Sequence, residues 1–143
     1  MNKFKSIIAI CVFLLTACTG FSYDKAPYLI KGEMVMDSDS EDYEIAGINL
    51  SFKNLEKKTV SELTVVFFMF DEDGEPVSFR KGNMVLTIKK NIASGEYCQF
   101  CVSLDKYLTE IPEEPYFIDY LYVSEIVYED ESTWKDPLGM MLR

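Results

Sequence analysis

The chain has 143 residues, with 14 Lys and Arg against 24 Asp and Glu, no His, and a formal charge of −10. That length is one domain's worth and enough to bury a core. The acidic balance argues against nucleic acid as a partner, because phosphate backbones need a basic surface; the lack of His removes Ser-His and Cys-His catalysis and the commonest transition-metal ligand.

The first element in chain order is a leader. Lys3 and Lys5 form a positive segment, residues 7–15 are apolar, and small residues stand just before Cys18, the order a secretory signal requires. Its apolar stretch falls well under the ~20 residues needed to cross a bilayer core. Leu15-Thr16-Ala17-Cys18 resembles the bacterial lipobox. The resemblance implies cleavage after Ala17 and diacylglycerol attachment to Cys18, usually with a further acyl chain on the new amino group. Two or three acyl chains at about 0.8 kcal/mol per buried methylene anchor stably, where one does not. An ordinary secretory signal followed by a chance Cys is the alternative. The expected organisation is a signal peptide over 1–17, a lipidated N-terminus and tether over 18–27, and one domain over 28–143. Loss of the leader removes two of the 14 basic residues and none of the 24 acidic ones, taking the charge to −12. Such a body is repelled by anionic headgroups, so the lipid and tether are expected to make the membrane contact.

Beyond residue 28 the chain alternates between apolar runs and polar turn clusters, the pattern of antiparallel strands. Strands are expected over 28–36 and 43–53, separated by the acidic loop 37–42. Residues 63–70 are almost continuously β-branched and aromatic, which places them near the middle of a sheet with both faces largely covered. They end at Asp71-Glu72-Asp73-Gly74, where Asp-Gly supplies the positive φ of a tight turn. A short edge piece over 76–79 follows, because Pro76 cannot donate to a central ladder. Further strands are expected over 84–89 and 97–104. Residues 107–115 allow one helical turn before Pro112 and Pro115 stop it. The last run, 116–129, is long for one strand and bulky on both faces, so a bend or bulge near Asp119 or Ser124 is expected. About seven strands at roughly 10-residue spacing outline an antiparallel immunoglobulin-like β-sandwich.

The block from Gly47 to Asn54, the strand closing on Asp71-Glu72-Asp73-Gly74, and Ala93-Ser94-Gly95-Glu96 with Phe100 resemble the bacterial domain family named for its F-x-L-Y-D motif. Phe67-Phe68-Met69-Phe70-Asp71 matches that motif with Met for Leu and Phe for Tyr. The resemblance covers about residues 45–104 and implies an extracytoplasmic β-sandwich. It carries no catalytic residue across.

Four constellations bear on chemistry. The carboxylates lie in expected turns, where solvated strand ends compete with an acid–base pair. Asp71, Asp73 and Glu75 suggest a Ca2+ site, since alternate carboxylates before a Gly can converge on a hard cation; the EF-hand spacing fails at Gly82, and a hairpin turn accounts for the same residues. Cys98 and Cys101 have redox-motif spacing, yet on an extended strand they stand about 10 Å apart on opposite faces, so free thiols are expected, with a disulfide across a local bulge as the alternative. Tyr116, Tyr120, Tyr122, Tyr128 and Trp134 suggest an aromatic partner surface, against which stands a role in covering sheet and core.

The expectation is a lipoprotein anchored through Cys18 in the cell membrane or outer membrane. It presents a non-catalytic, extracytoplasmic binding domain to an envelope protein, with no cofactor. A surface adhesin or glycan-binding lipoprotein and a carboxylate-dependent enzyme are the alternatives. Binding by a sheet edge or end loops is expected, and the acidic loops favour a cationic partner.

Overall fold

The computed structural model describes residues 25–36, 40–77 and 84–141. The leader, Cys18 and most of the expected tether lie outside these residues, as do Ser78 and Phe79 of the expected edge piece. The described chain is all-β and forms seven strands: β1 (Tyr28–Val35), β2 (Gly47–Asn54), β3 (Val60–Phe70), β4 (Met84–Ile92), β5 (Tyr97–Ser103), β6 (Phe117–Tyr128) and β7 (Thr133–Lys135). They make two antiparallel sheets, one ordered β1-β2-β5 and the other β4-β3-β6-β7.

Alternation explains why the sheets face each other. Ile48, Leu50 and Phe52 point one way from β2 while Leu63, Val65, Phe67 and Met69 point one way from β3, and all seven are buried in one core. At roughly 25 cal/mol per Å² of apolar surface removed from water, this shared layer is the main favourable contribution to folding. β3 is central, as its composition predicts, but only its inward face is wholly covered; Phe68 and Phe70 are half-buried on the outer side.

Three expectations need correction. The piece over 76–79 is not a strand among its described residues: Pro76 makes an isolated bridge to Phe70, since a proline can close a hairpin but not extend its ladder. The seventh strand is instead β7, a three-residue pairing of Glu125–Val127 with Thr133–Lys135 that is too short to show a period in sequence. The strand expected from residue 43 begins at Gly47, because residues 44–46 give their N–H groups to a carboxylate rather than to a neighbouring strand. The helical turn falls earlier than expected, where Leu108 N–H donates to the Leu104 carbonyl at 3.2 Å.

The expected interruption of the last long strand is present twice. The β3–β6 register slips between Thr64 and Val65, leaving Ser124 as the extra residue, and again between Val66 and Phe68, around Tyr120 and Leu121. Each slip changes which face the following residues occupy.

The two ends of the sandwich differ. At one end Leu55 N–H donates to the Pro27 carbonyl (2.9 Å), Asn54 N–H to the Glu96 carbonyl (3.0 Å) and Glu129 N–H to the Thr59 carbonyl (3.0 Å). This is where the chain enters β1, and Ala26 is already buried there. At the other end Leu104 N–H donates to the Ala46 carbonyl (2.8 Å), Tyr116 N–H meets Met34 Sδ (3.2 Å) and Phe70 pairs with Phe117.

Candidate functional site: the acidic end and the outer sheet faces

The acidic end is organised by Asp105. Its Oδ1 accepts the N–H groups of Ile45 and Ala46, both at 2.8 Å, and its Oδ2 accepts Glu44 N–H at 2.7 Å and the Ser103 hydroxyl at 2.8 Å. Three successive backbone N–H groups on one carboxylate form an anion-binding concavity. Partial burial works to raise the Asp105 pKa, but the donors from Glu44, Ala46, Ile45 and Ser103 outweigh it and bring the value to about 2. The carboxylate therefore stays ionised and pins the loop that precedes β2.

Beside it, the turns 71–75 and 110–116 converge. Asp71 closes its own turn: its Oδ1 accepts Asp73 N–H at 3.0 Å and Glu75 N–H at 2.9 Å, and Gly74 takes a φ of +78°. Tyr116 lies between the two turns. Burial pushes its phenol pKa up, and the charges of Glu110 and Asp71 push it further. Among the described residues no group of three or more Asp, Glu, Cys or His stands close enough together to hold a metal ion.

On the outer face of the four-stranded sheet, Phe70 stands opposite Phe117 and Phe68 opposite Asp119. The second bulge then turns Tyr120 outward with a φ of +48°, and its ring meets Phe68 edge-on at 6.1 Å. Phe117 and Tyr120 remain 65% and 61% exposed, and Val85, opposite Val66 on the neighbouring strand, 50%.

The outer face of the three-stranded sheet is polar. Lys31, Ser51 and Gln99 form one row across it, and Glu33, Asn49 and Cys101 the next. These rows line a shallow concavity of about 460 Å³. A second of about 390 Å³ shares Asn49 and Cys101 and is closed by Asp42 and Tyr43. Tyr43 lies so close over Gly47 that a Cβ there would come within 2.5 Å of its ring. Cys98 is buried and Cys101 half-buried, both as free thiols. Burial raises both pKa values; Asp42 adds to the rise at Cys101, while at Cys98 Lys90 works against burial and Glu96 with it. Neither has the electropositive setting of a reactive cysteine.

The five aromatic residues singled out in sequence do not form one surface. Tyr120 is exposed and Tyr116 half-buried, whereas Tyr122 and Tyr128 are buried and Trp134 packs edge-on against Tyr28 at 5.6 Å. Tyr122 is covered by the C-terminal turn, donating its hydroxyl to the Pro137 carbonyl at 3.2 Å with Gly139 over its ring. Two causes separate Tyr120, Tyr122 and Tyr128: the slip at Ser124 turns Tyr128 inward, opposite the buried Val60, while Tyr122, opposite Val66, keeps the outer face that Tyr120 occupies and is hidden there by the C-terminal turn. Phe68 and Phe117, which do accompany Tyr120, read in sequence as core. Cys18 lies outside the described residues.

No family model matches the chain, and no curated protein matches it. Among solved structures, the chain is similar to a hypothetical protein from Peptoclostridium difficile 630, known from a 1.85 Å X-ray structure, with a TM-score of 0.57 and 12% identity over 79% of this chain and 88% of that one. That likeness is one of fold.

Proposed function

We propose that this protein is a lipid-anchored bacterial binding module, held to a membrane through Cys18 and presenting an immunoglobulin-like sandwich to a protein partner in the cell envelope. The observation that carries the reading is the separation of its two ends. The chain enters at the Tyr28 end, where Lys25, Lys53, Lys57, Lys58, Lys89 and Lys90 accompany the acids; the opposite end concentrates carboxylates. A tether at the first end holds the mixed-charge end toward the headgroups and the acidic end away from them.

The immunoglobulin-like assignment draws support from the strand partition. In the constant-type arrangement the fourth strand joins the first, second and fifth, with the third, sixth and seventh opposite. Here β1, β2 and β5 keep that grouping and β4 has moved beside β3. The same core strand carries the Phe67–Asp71 segment on which the F-x-L-Y-D resemblance rests.

The anchor is tested by Cys18→Ala. Release of the variant from membranes supports it, and complete retention overturns it. The partner is tested by cross-linking in cells and capture from native membranes. One abundant envelope protein, lost when the acidic loops are neutralised, is the expected result; a blank overturns the reading.

A further inference from the structure

We infer that the outer face of the four-stranded sheet at its acidic end, built on Phe68, Phe117 and Tyr120, is a docking surface for a segment of a partner protein rich in Lys or Arg. The inference rests on the binding-module reading and assigns it a surface and a partner chemistry.

Exposure comes first. Phe117 and Tyr120 are each more than three-fifths exposed, and they neighbour the half-buried Phe68 and Phe70 through the β3–β6 pairing. Large aromatic rings left in water beside one another on a sheet face mark an interaction surface more often than isolated exposed side chains do. The backbone gives a second reason. Tyr120 is a bulky residue at a φ of +48°, a region that L-residues avoid. The bulge that imposes it turns the ring outward onto Phe68 rather than into the core, the re-aiming of a side chain for which bulges are known.

Charge selects the occupant. Residues 71–75 and 110–119 carry eight carboxylates and no Lys or Arg. The pairing of Phe70 with Phe117 brings these segments together around the aromatic face, and both Glu110 and Asp71 act on Tyr116 between them. Aromatic faces ringed by carboxylates suit guanidinium and ammonium groups, which gain cation–π contact and ion pairing together. A second copy of this chain meeting it face to face would set the same carboxylates against each other. Anionic lipid is repelled for the same reason.

The test places a photo-activatable cross-linking residue at Tyr120, or at Gln99 on the opposite sheet, in the full-length protein in its own cells, and sequences the captured peptide. Capture from position 120 of a Lys/Arg-rich segment of another protein is expected. Its yield should fall at least fivefold with Phe117→Ser or with Glu113→Gln and Glu114→Gln combined. A neutral or acidic peptide, a glycan, or a peptide of this same chain captured from position 120 overturns the proposal, as does a yield indifferent to those substitutions. Capture from position 99 alone overturns this surface and leaves the binding-module reading standing; capture from neither position overturns both.

Discussion

The phenol oxygen of Tyr28, in the first strand of one sheet, accepts the backbone N–H of Val123 in the other sheet at 3.0 Å. Val123 sits between two of the three slips of the β3–β6 register, those at Thr64/Val65 and Val66/Phe68, and the hydrogen bond lies in the interior. A side chain from the regular three-stranded sheet thus serves a donor at the point where the ladder of the other sheet is irregular, which ties the two layers together there.

Replacing Tyr28 with Phe removes that acceptor and leaves a buried N–H without its partner, a loss of about 1–3 kcal/mol. Urea unfolding should show a lower midpoint with an unchanged slope. Burial raises the Tyr28 pKa above 10, against the Val123 N–H, which lowers it, while Asp136 and Tyr122 add to the rise. The folded state therefore favours the neutral phenol. Its contribution is whole below pH 10 and lost as pH climbs through the folded value, so the deficit of Tyr28→Phe should narrow in strong alkali.

Asp105 sets the acid limb. Its folded pKa of about 2 lies below the ordinary value of 3.8, so it favours the native state above pH 4 and stops doing so as pH falls toward 2. Because the group touches solvent, the contribution is about 1–2 kcal/mol. Asp105→Ala should lose that amount at pH 7, and the difference from the parent protein should close near pH 2. Unfolding midpoints measured at pH 7, 4 and 2 check both statements.

Asn54 is the buried polar junction of the opposite end. Its Nδ2 donates to the carbonyls of Lys58 (2.8 Å), Ile92 (3.1 Å) and Ala93 (3.1 Å), and its Oδ1 accepts Glu56 N–H at 3.0 Å. Asn54→Asp keeps the shape but replaces the donor with a second acceptor facing those carbonyls. It should cost more than about 2 kcal/mol, as much as Asn54→Ala or more, in the same urea assay.

A methyl group at Gly47 would come 2.5 Å from the Tyr43 ring and 3.1 Å from Cys101 Sγ. Tyr43 must swing away, so Gly47→Ala should cost about 1–3 kcal/mol and uncover the thiol. A maleimide probe is expected to label Cys101 several-fold faster in the variant than in the parent. Cys98, held in the core, should label in both only on unfolding.

Alternation alone was enough to place β1, β3, β4, β5 and β6 to within a few residues, because inward residues repeat at every second position and the turns are written in Asp, Gly and Pro. It was enough also to show that the 116–129 run had to bend, since both of its faces are bulky. The charge balance and the lipobox-like leader are likewise properties of the chain itself. What only the tertiary structure decided is where the period breaks and what lies across from it. The slip at Ser124 depends on the partner strand and separates Tyr128 from Tyr120 and Tyr122 although all three share one sequence phase, and only the C-terminal turn hides Tyr122 from the face that Tyr120 occupies. Asp105 meets residues 44–46 from 59 or more positions away, and Asn54 reaches Ile92 across 38. Such contacts leave no local pattern, because a polar side chain that closes a long loop looks, in sequence, like any other polar residue at a turn. The exposed face around Phe68 and Phe117 was hidden for the converse reason: an aromatic residue on a strand reads as core until the layer that would cover it is seen to end.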